Sequence, residues 1–100
     1  MTTIAPSAST ALLRALNEAH HRRFSLTALR ALCILDNCES INTSDLARRL
    51  GVSTAVVTGL IDRLEYNDLV RRTHAQDDRR IIRLSRTATG TLAITDILNA

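Results

Sequence analysis

The sequence predicts a mainly α-helical domain that carries one small β-hairpin. Apolar residues recur at helical spacing through most of the chain, the spacing becomes alternating after residue 64, and a length of 100 residues fits one domain. Aromatic residues make up 2% of the chain, so the core is expected to consist of Leu, Ile, Val and Ala. Residues 1–8 lack periodicity and are expected to form a flexible arm, with residues 9–100 as the domain.

Two helices are predicted at the start of the domain. The first is expected to begin at an N-cap formed by Ser9. Ser25 is expected to cap the second helix, with Phe24 and Leu29 as a hydrophobic staple. Residues 26–35 are apolar on nearly all sides, which is typical of a buried central helix.

A pair of short helices follows a single rung of strand at Ile41. Thr43 is expected to cap the third helix, and Gly51 to supply the turn after it. Ser53 is expected to cap the fourth helix, whose apolar residues follow the i, i+3, i+4, i+7 pattern. Two short helices about a three-residue turn have the spacing of a helix-turn-helix. The inner faces are predicted to consist of Leu46, Ala47, Leu50, Val57, Leu60, Ile61 and Leu64.

The next part of the chain changes to strand spacing. Residues 69–73 and 80–85 are short β-type runs, and the polar residues 74–79 between them predict a hairpin with a basic tip. Thr87 is expected to cap a last, weak helix. The predicted order of elements is that of a winged helix-turn-helix.

The basic residues are unevenly placed. All thirteen are arginine, the side chain suited to bidentate contacts with phosphates and guanine edges, and the formal net charge is +3. Residues 71–86 hold six of them against two aspartates. Such a patch favours a polyanionic partner over a merely solvated face. The six are Arg71, Arg72, Arg79, Arg80, Arg83 and Arg86.

The segment from Phe24 to Gly90 resembles the MarR family of transcriptional regulators. The run SDLARRLGVSTAVVTGLIDRLE (residues 44–65) matches the family's helix-turn-helix, and DLV leads into the wing. DDRR is similar to the family's wing tip, and Thr87-x-x-Gly90 to its closing motif. The resemblance implies a winged fold, duplex DNA as the partner and regulation of transcription.

The sequence departs from the family pattern at several positions. Asp68, preceded by Asn67, stands where the family usually has glycine, so one of the two is expected to be left-handed. Arg86 replaces the leucine expected at the end of the second wing strand, which puts that strand end in question. Gly59 stands where the family often has arginine, so base reading is expected to be limited. Few residues follow Gly90, so the long dimerisation helices, and with them an effector pocket, are expected to be missing.

The predicted DNA contacts come from two elements. The recognition helix, about residues 53–66, is expected in the major groove, and the wing, residues 71–84, at the minor groove. The family's Asp-x-Arg wing tip implies that Asp78 orients Arg80, the alternative being a surface pair that only stabilises the turn. Serine and threonine can bond bases or phosphates, whereas alanine offers thymine only a methyl contact. The predicted contact residues are Thr43, Ser44, Ser53, Thr54, Ala55, Thr58, Arg63, Arg72, Asp78, Arg79 and Arg80, with Gly59 and Asp62 on the same outward face.

Other kinds of chemistry find little support in the sequence. No nucleophile lies in a Gly-rich or strained turn, so no catalytic activity is predicted. Cys33 and Cys38 lack a second close pair, so no metal, cofactor or disulfide framework is expected, and Cys33 is expected in the core rather than as a redox switch. No apolar run approaches the length of a membrane span, and a cytoplasmic location is expected.

The leading hypothesis is therefore a sequence-specific, dimeric repressor that binds an inverted repeat in double-stranded DNA. A DNA-binding accessory protein of a mobile element and a winged helix used only for protein contacts are the alternatives. Steep salt dependence would separate phosphate-driven binding from an apolar protein interface. The dimer is expected to form through the terminal helices, by way of Leu12, Leu13, Leu16, Ile94, Ile97 and Leu98.

Overall fold

The computed structural model describes residues 7–36, 40–74, 76–78 and 81–100, and within them it has five helices and a three-stranded sheet. The helices are α1 (Ala8–His21), α2 (Leu26–Asp36), α3 (Thr43–Leu50), α4 (Thr54–Tyr66) and α5 (Ala88–Leu98). The strands β1 (Ile41–Asn42), β2 (Val70–His74) and β3 (Ile82–Arg86) are antiparallel in the order β1-β3-β2. The predicted mainly α fold with a hairpin wing is confirmed.

Helix α1 begins earlier than the sequence predicted. Ser7, and not Ser9, is the N-cap, because its Oγ accepts a hydrogen bond from the Thr10 backbone N–H at 3.1 Å. Both serines satisfy the capping rule, and the earlier one adds a half turn of helix. Ser7 and Ala8 therefore belong to α1 rather than to the predicted arm, whose residues 1–6 lie outside the described part of the chain.

The turn from α1 to α2 is held by backbone geometry and a side-chain cap. Arg23 is left-handed, with φ of 62°, and the Phe24 N–H bonds back to the last turn of α1 at 2.9 Å. Ser25 caps α2 as predicted, since its Oγ accepts from the Ala28 N–H at 3.0 Å. Phe24 and Leu29 both pack against the core, as a staple requires.

Helix α2 is central, but it is not buried on every side. Leu32 and Leu35 are fully buried where α2 meets α3, α5 and β3. Leu26 and Cys33 are exposed, so the prediction of a core cysteine is wrong; the three contacting elements cover only part of the helix surface. Partial burial raises the pKa of the Cys33 thiol, an effect that the nearby Arg86 guanidinium opposes. Cys38 lies outside the described residues.

The helix-turn-helix has the predicted three-residue turn at residues 51–53. Gly51 is left-handed, with φ of 71°, and ends α3. Ser53 caps α4, where its Oγ accepts from the backbone at 3.2 Å. Asn42 rather than Thr43 caps α3: its Oδ1 accepts from the Asp45 N–H at 2.8 Å. Asn42 is the residue with extended backbone from β1, whereas Thr43 is already helical.

The core lies between α2, α3, α4 and the sheet. All of the apolar residues predicted for the inner faces of α3 and α4 are buried. A second, smaller cluster joins α1 to α5 and consists of Ala15, Ala19 and Ile97. Ile94, in the main core, and Ile97, in the cluster with α1, are thus buried, and their predicted place on a dimer surface is wrong, because α5 packs on α1, α2 and β3 of the same chain. Large exposed leucines on these two helices are Leu12, Leu13, Leu16, Leu92 and Leu98.

The wing strands begin and end slightly later than predicted. Leu69 is still part of the helix ending, since its N–H donates to the Leu64 carbonyl at 2.9 Å. Strand β2 therefore begins at Val70, and it pairs with β3 in a register that places Arg72 opposite Leu84. Strand β1 pairs with the other side of β3 through two residues, Ile41 opposite Leu84 and Asn42 opposite Arg83, where the sequence predicted a single rung.

The end of β3 is maintained by Arg86. Its side chain is 8% exposed and pairs with Asp36 at the end of α2. The guanidinium also donates to the Leu32 carbonyl at 3.3 Å and to Thr91 Oγ1 at 3.1 Å. Arginine in place of the family's leucine therefore keeps the strand and links β3 to α2 and α5.

The closing motif joins the recognition helix, the wing and α5. Thr87 caps α5 as predicted, with its Oγ1 accepting from the Gly90 N–H at 3.0 Å. The same hydroxyl donates to the carbonyl of Asp68, the residue that adopts the left-handed conformation, with φ of 59°. A Cβ added at Gly90 would collide with the Leu69 carbonyl oxygen and lie 2.7 Å from Arg86 Cγ. Glycine is therefore required by a close approach of two backbone segments.

The two helical glycines of this domain provide a matched test of that packing. Gly90→Ala should lower the free energy of unfolding by about 3 kcal/mol, because the clash with backbone outweighs the gain in helix propensity. Gly59→Ala should raise it by about 1 kcal/mol, because a Cβ there meets no atom within 4 Å. Urea unfolding followed by circular dichroism measures both; equal effects of the two changes would contradict the packing argument.

Candidate nucleic-acid interface

Helix α4 buries one face and exposes the opposite one. Four apolar residues anchor its inner face, from Val57 to Leu64. Ala55, Thr58 and Asp62 are exposed at spacings of three and four residues, so they share a face, and Gly59 lies beside them. The exposed face of α4, defined by these four residues, is small and weakly polar.

The hydroxyl groups at the start of α4 are partly committed within the helix. Ser53 Oγ accepts the Val56 N–H, and Thr58 Oγ1 donates to the Thr54 carbonyl at 2.9 Å. Thr58 therefore has no hydroxyl hydrogen to offer while this bond is made, and it keeps an acceptor lone pair and a methyl group. Thr54 is exposed at the first position of the helix.

Arg63 flanks the exposed face: it lies one helical turn after Gly59, on the side of Gly59 opposite to Thr58. It follows Thr58 by five residues, so the two side chains diverge by about 140°. Arg63 also lines a cavity of about 620 Å³ between α4, the α1–α2 turn and α5, together with Arg22, Arg23 and Asp96. The wall of this cavity is formed by residues of α4 and the α1–α2 turn together with α5, and the absence of the family's effector pocket between the DNA-binding elements and dimerisation helices stays a prediction.

Arg72 connects the wing to the recognition helix. Its guanidinium lies 2.9 Å from Asp62 Oδ1 and 3.5 Å from Glu65 Oε1, and its side chain is 26% exposed. Asp62 and Glu65 are three residues apart on α4, so one arginine reaches both. The structure thus gives Arg72 an intramolecular role that the sequence did not suggest, and it neutralises acidic groups beside the exposed face.

The outer face of the wing carries Arg71 and Arg83. Both side chains are exposed. Along β2, Arg71 and Thr73 face outward, whereas Val70 and Arg72 face inward. The register places Arg83 opposite Thr73, so Arg83 shares the outer face. The sequence counted both arginines in the basic segment without assigning them a contact. Strand alternation is the signal that could have separated them from Arg72.

The predicted wing tip is only partly described. Asp78 is half-buried, and its carbonyl accepts the Ile81 N–H at 3.0 Å, as in a turn. Arg79 and Arg80 lie outside the described residues, and so does the predicted pair of Asp78 with Arg80.

The two remaining predicted residues lie at the start of α3. Thr43 is half-buried and Ser44 is exposed, directly after the Asn42 cap. Helix α3 packs on α4 through its inner face, so both helix starts belong to one helix-turn-helix unit.

The described part of the chain holds neither a metal-binding cluster nor a membrane-spanning helix. None of its groups of His, Cys, Asp or Glu is arranged to hold a metal ion. None of its helices combines the length and the apolar character needed to cross a bilayer.

Known proteins match most of the chain. The MarR family model matches residues 24–82. The HTH-type transcriptional regulator YfiV of Bacillus subtilis is 38% identical over 58 residues, which cover 58% of this chain and 36% of YfiV. The HTH-type transcriptional repressor MdtR of the same organism is 39% identical over 70 residues, which cover 70% of this chain and 45% of MdtR.

A solved structure agrees with the sequence matches. The YusO protein of Bacillus subtilis superposes with a TM-score of 0.80 at 31% identity, over 91% of this chain and 64% of YusO. The chain spans less than half the length of the curated relatives it matches. The family model covers the helix-turn-helix, strand β2 and the first residue of β3, more than half of the chain. The protein therefore belongs to the MarR family.

Proposed function

We propose that this chain is a sequence-specific regulator of transcription, acting as a repressor in the cytoplasm. Its partner would be double-stranded DNA, bound by a homodimer at an inverted repeat. The observation that carries the proposal is the exposed face of α4, anchored from behind by the core and tied to the wing by Arg72. The repressor role is supported by the similarity to the repressor MdtR. Family membership also agrees with the sequence prediction that the chain is not an enzyme.

The geometry of α4 suits a major groove. The groove admits one helix, whose first turns approach the bases. Ser53, Thr54, Ala55 and Thr58 lie in those turns, and none of them carries a bulky side chain. Serine and threonine at a helix start also suit phosphate contacts, which would set the depth of insertion.

The electrostatics of the wing support a duplex partner. Arg71 and Arg83 are exposed on its outer face, and the whole chain has a formal net charge of +3. Exposed arginines beside an inserted helix would neutralise phosphates and release counterions. Contacts from Arg63, Arg79 and Arg80 are kept as predictions of the same proposal.

Selection of bound duplexes from a random pool tests the function directly. The expected result is an inverted-repeat consensus with half-sites about one helical turn apart. The affinity for that consensus should fall steeply between 50 and 200 mM salt, by roughly ten-fold for every two phosphates neutralised. A protein that enriches no duplex, or binds a protein partner with little salt dependence, would contradict the proposal.

Arg72 is expected to support DNA binding by neutralising the carboxylates of Asp62 and Glu65 on the recognition helix. Arg72→Gln should weaken binding to the selected duplex by about ten-fold, or about 1.4 kcal/mol, because Asp62 and Glu65 would then face the phosphates unpaired. Adding Asp62→Asn and Glu65→Gln to Arg72→Gln should restore most of the affinity. Fluorescence anisotropy at fixed salt measures all three proteins, with thermal unfolding as the control for the fold.

A direct phosphate contact by Arg72 would give a different pattern. In that case the removal of the two carboxylates would not compensate for the missing guanidinium. Failure of the triple variant to recover affinity would therefore show that Arg72 contacts DNA directly, as the list of predicted contact residues has it.

The exposed leucines at the ends of the chain support dimer formation. Leu12 and Leu98 are 59% and 71% exposed, and Leu13 and Leu16 lie on the same part of α1. Helix α5 packs on α1 through Ala15 and Ala19, and Leu12, which precedes them by about one turn, stays largely exposed. Apolar side chains concentrated at one end of a small domain are typical of an association surface.

Placing charged residues on the exposed leucines tests the proposed dimer surface. Leu12→Glu with Leu98→Glu should give monomers that keep their helix content and lose binding to the inverted repeat. Sedimentation at about 30 μM measures this, since a dimer with a Kd of about 10 μM is mostly formed there. Leu26→Glu, at an equally exposed leucine on α2, is the control and should stay dimeric. An unmodified protein that sediments as a monomer would refute the proposed assembly.

A further inference from the structure

We infer that α4 selects A·T base pairs through contacts with thymine methyl groups, with Ala55 and Thr58 as the specificity-determining residues. The inference rests on the proposed function and names the chemistry of its recognition helix. It concerns the major groove only.

The exposed face of α4 carries neither arginine nor lysine, the side chains that most often read guanine. Guanine presents two acceptors, N7 and O6, which are recognised by the donors of arginine or lysine. The nearest arginine along the helix, Arg63, diverges from Thr58 by about 140° and lines the cavity. Arg72 comes from the wing, and its guanidinium is paired with Asp62 and Glu65.

The hydroxyl of Thr58 does not replace those donors. Its hydrogen is directed to the Thr54 carbonyl at 2.9 Å, so Oγ1 can only accept. An acceptor repels the N7 and O6 of guanine and tolerates the amino groups of adenine or cytosine. The same bond holds χ1 in one staggered well, so the γ-methyl of Thr58 points in a fixed direction.

Neighbouring positions favour close approach of that methyl. Ala55 precedes Thr58 by three residues on the same face and contributes a second methyl. Gly59 has no side chain, and a Cβ built there would meet no protein atom within 4 Å, so the space beside Thr58 is open. The Asp62 carboxylate at the far end of the face is held by Arg72, which limits its reach toward cytosine amino groups.

Two conservative substitutions of Thr58 separate the contribution of its methyl group to DNA binding from that of its hydroxyl group. Thr58→Ser keeps the hydroxyl and its bond to the Thr54 carbonyl while it removes the methyl. Thr58→Val keeps methyl groups while it removes the hydroxyl. The matching change in DNA is replacement of single thymines by deoxyuridine, which deletes the C5-methyl and keeps the base pairing.

The experiment measures the affinity of each protein for the selected duplex and for its deoxyuridine versions. Burial of one methyl corresponds to about four-fold in affinity. Wild type and Thr58→Val should lose about four-fold at one deoxyuridine position of the half-site. Thr58→Ser should be about four-fold weaker on the thymine duplex and insensitive to deoxyuridine at that position. Ala55→Gly should behave in the same way at a second position, with circular dichroism as the control for helix content.

Three results would overturn the inference and leave the proposed function intact. They are deoxyuridine substitutions without effect, equal losses for Thr58→Ser and Thr58→Val, and a guanine-rich half-site whose affinity falls about ten-fold with 7-deazaguanine. A protein that binds no duplex in a salt-dependent way would instead overturn the proposed function, and the inference with it. The result expected is a half-site of A·T pairs whose affinity depends on the two thymine methyls.

Discussion

The backbone of residues 87–90 packs so tightly on that of residues 68–69 that no side chain fits at position 90. Three elements meet at this contact: the end of α4, the start of β2 and the start of α5. The Thr87 hydroxyl links the start of α5 to the end of α4, since it accepts a hydrogen bond from the Gly90 N–H and donates one to the Asp68 carbonyl. The Thr87 N–H adds a bond to the Leu69 carbonyl at 3.1 Å. The direction of the wing relative to the recognition helix follows from this junction.

Short-range rules predicted much of the fold. Ser25, Ser53 and Thr87 were predicted as caps and are caps, because each directly precedes an apolar helical pattern. Two caps were assigned to the wrong residue, where a second capping side chain lay one or two positions earlier. In those cases either side chain could cap the helix, and the backbone conformation determines which one does. Asn42 is the cap of α3 because its backbone is extended, as the pairing of β1 with β3 requires.

The sequence predicted which side chains of α4 share the exposed face, but not which arginines are paired within the molecule. The spacing of α4 placed Ala55, Thr58 and Asp62 on one face, which the structure has. It could not show that Arg72 and Arg86 are used inside the molecule, because their acidic partners lie 10 and 50 residues away in the sequence. Sequence counting treats all arginines of a segment alike, whereas the fold separates those that link elements from those that face solvent. Arg71 and Arg83 belong to the second kind.

The link between Arg72 and α4 also bears on the shape of the DNA that can be bound. Because the guanidinium joins strand and helix directly and the close contact at Gly90 joins their ends, the offset between wing and helix is restrained at two places. Neighbouring major and minor grooves of a duplex are likewise offset, by an amount that changes with local twist. A pair of elements restrained in this way can fit both grooves only over a narrow range of that twist, so underwound and overwound DNA would be bound with different affinity. A torsional preference of this kind belongs to indirect readout, and in the proposed complex it would arise from an ion pair within the protein rather than from a contact with a base.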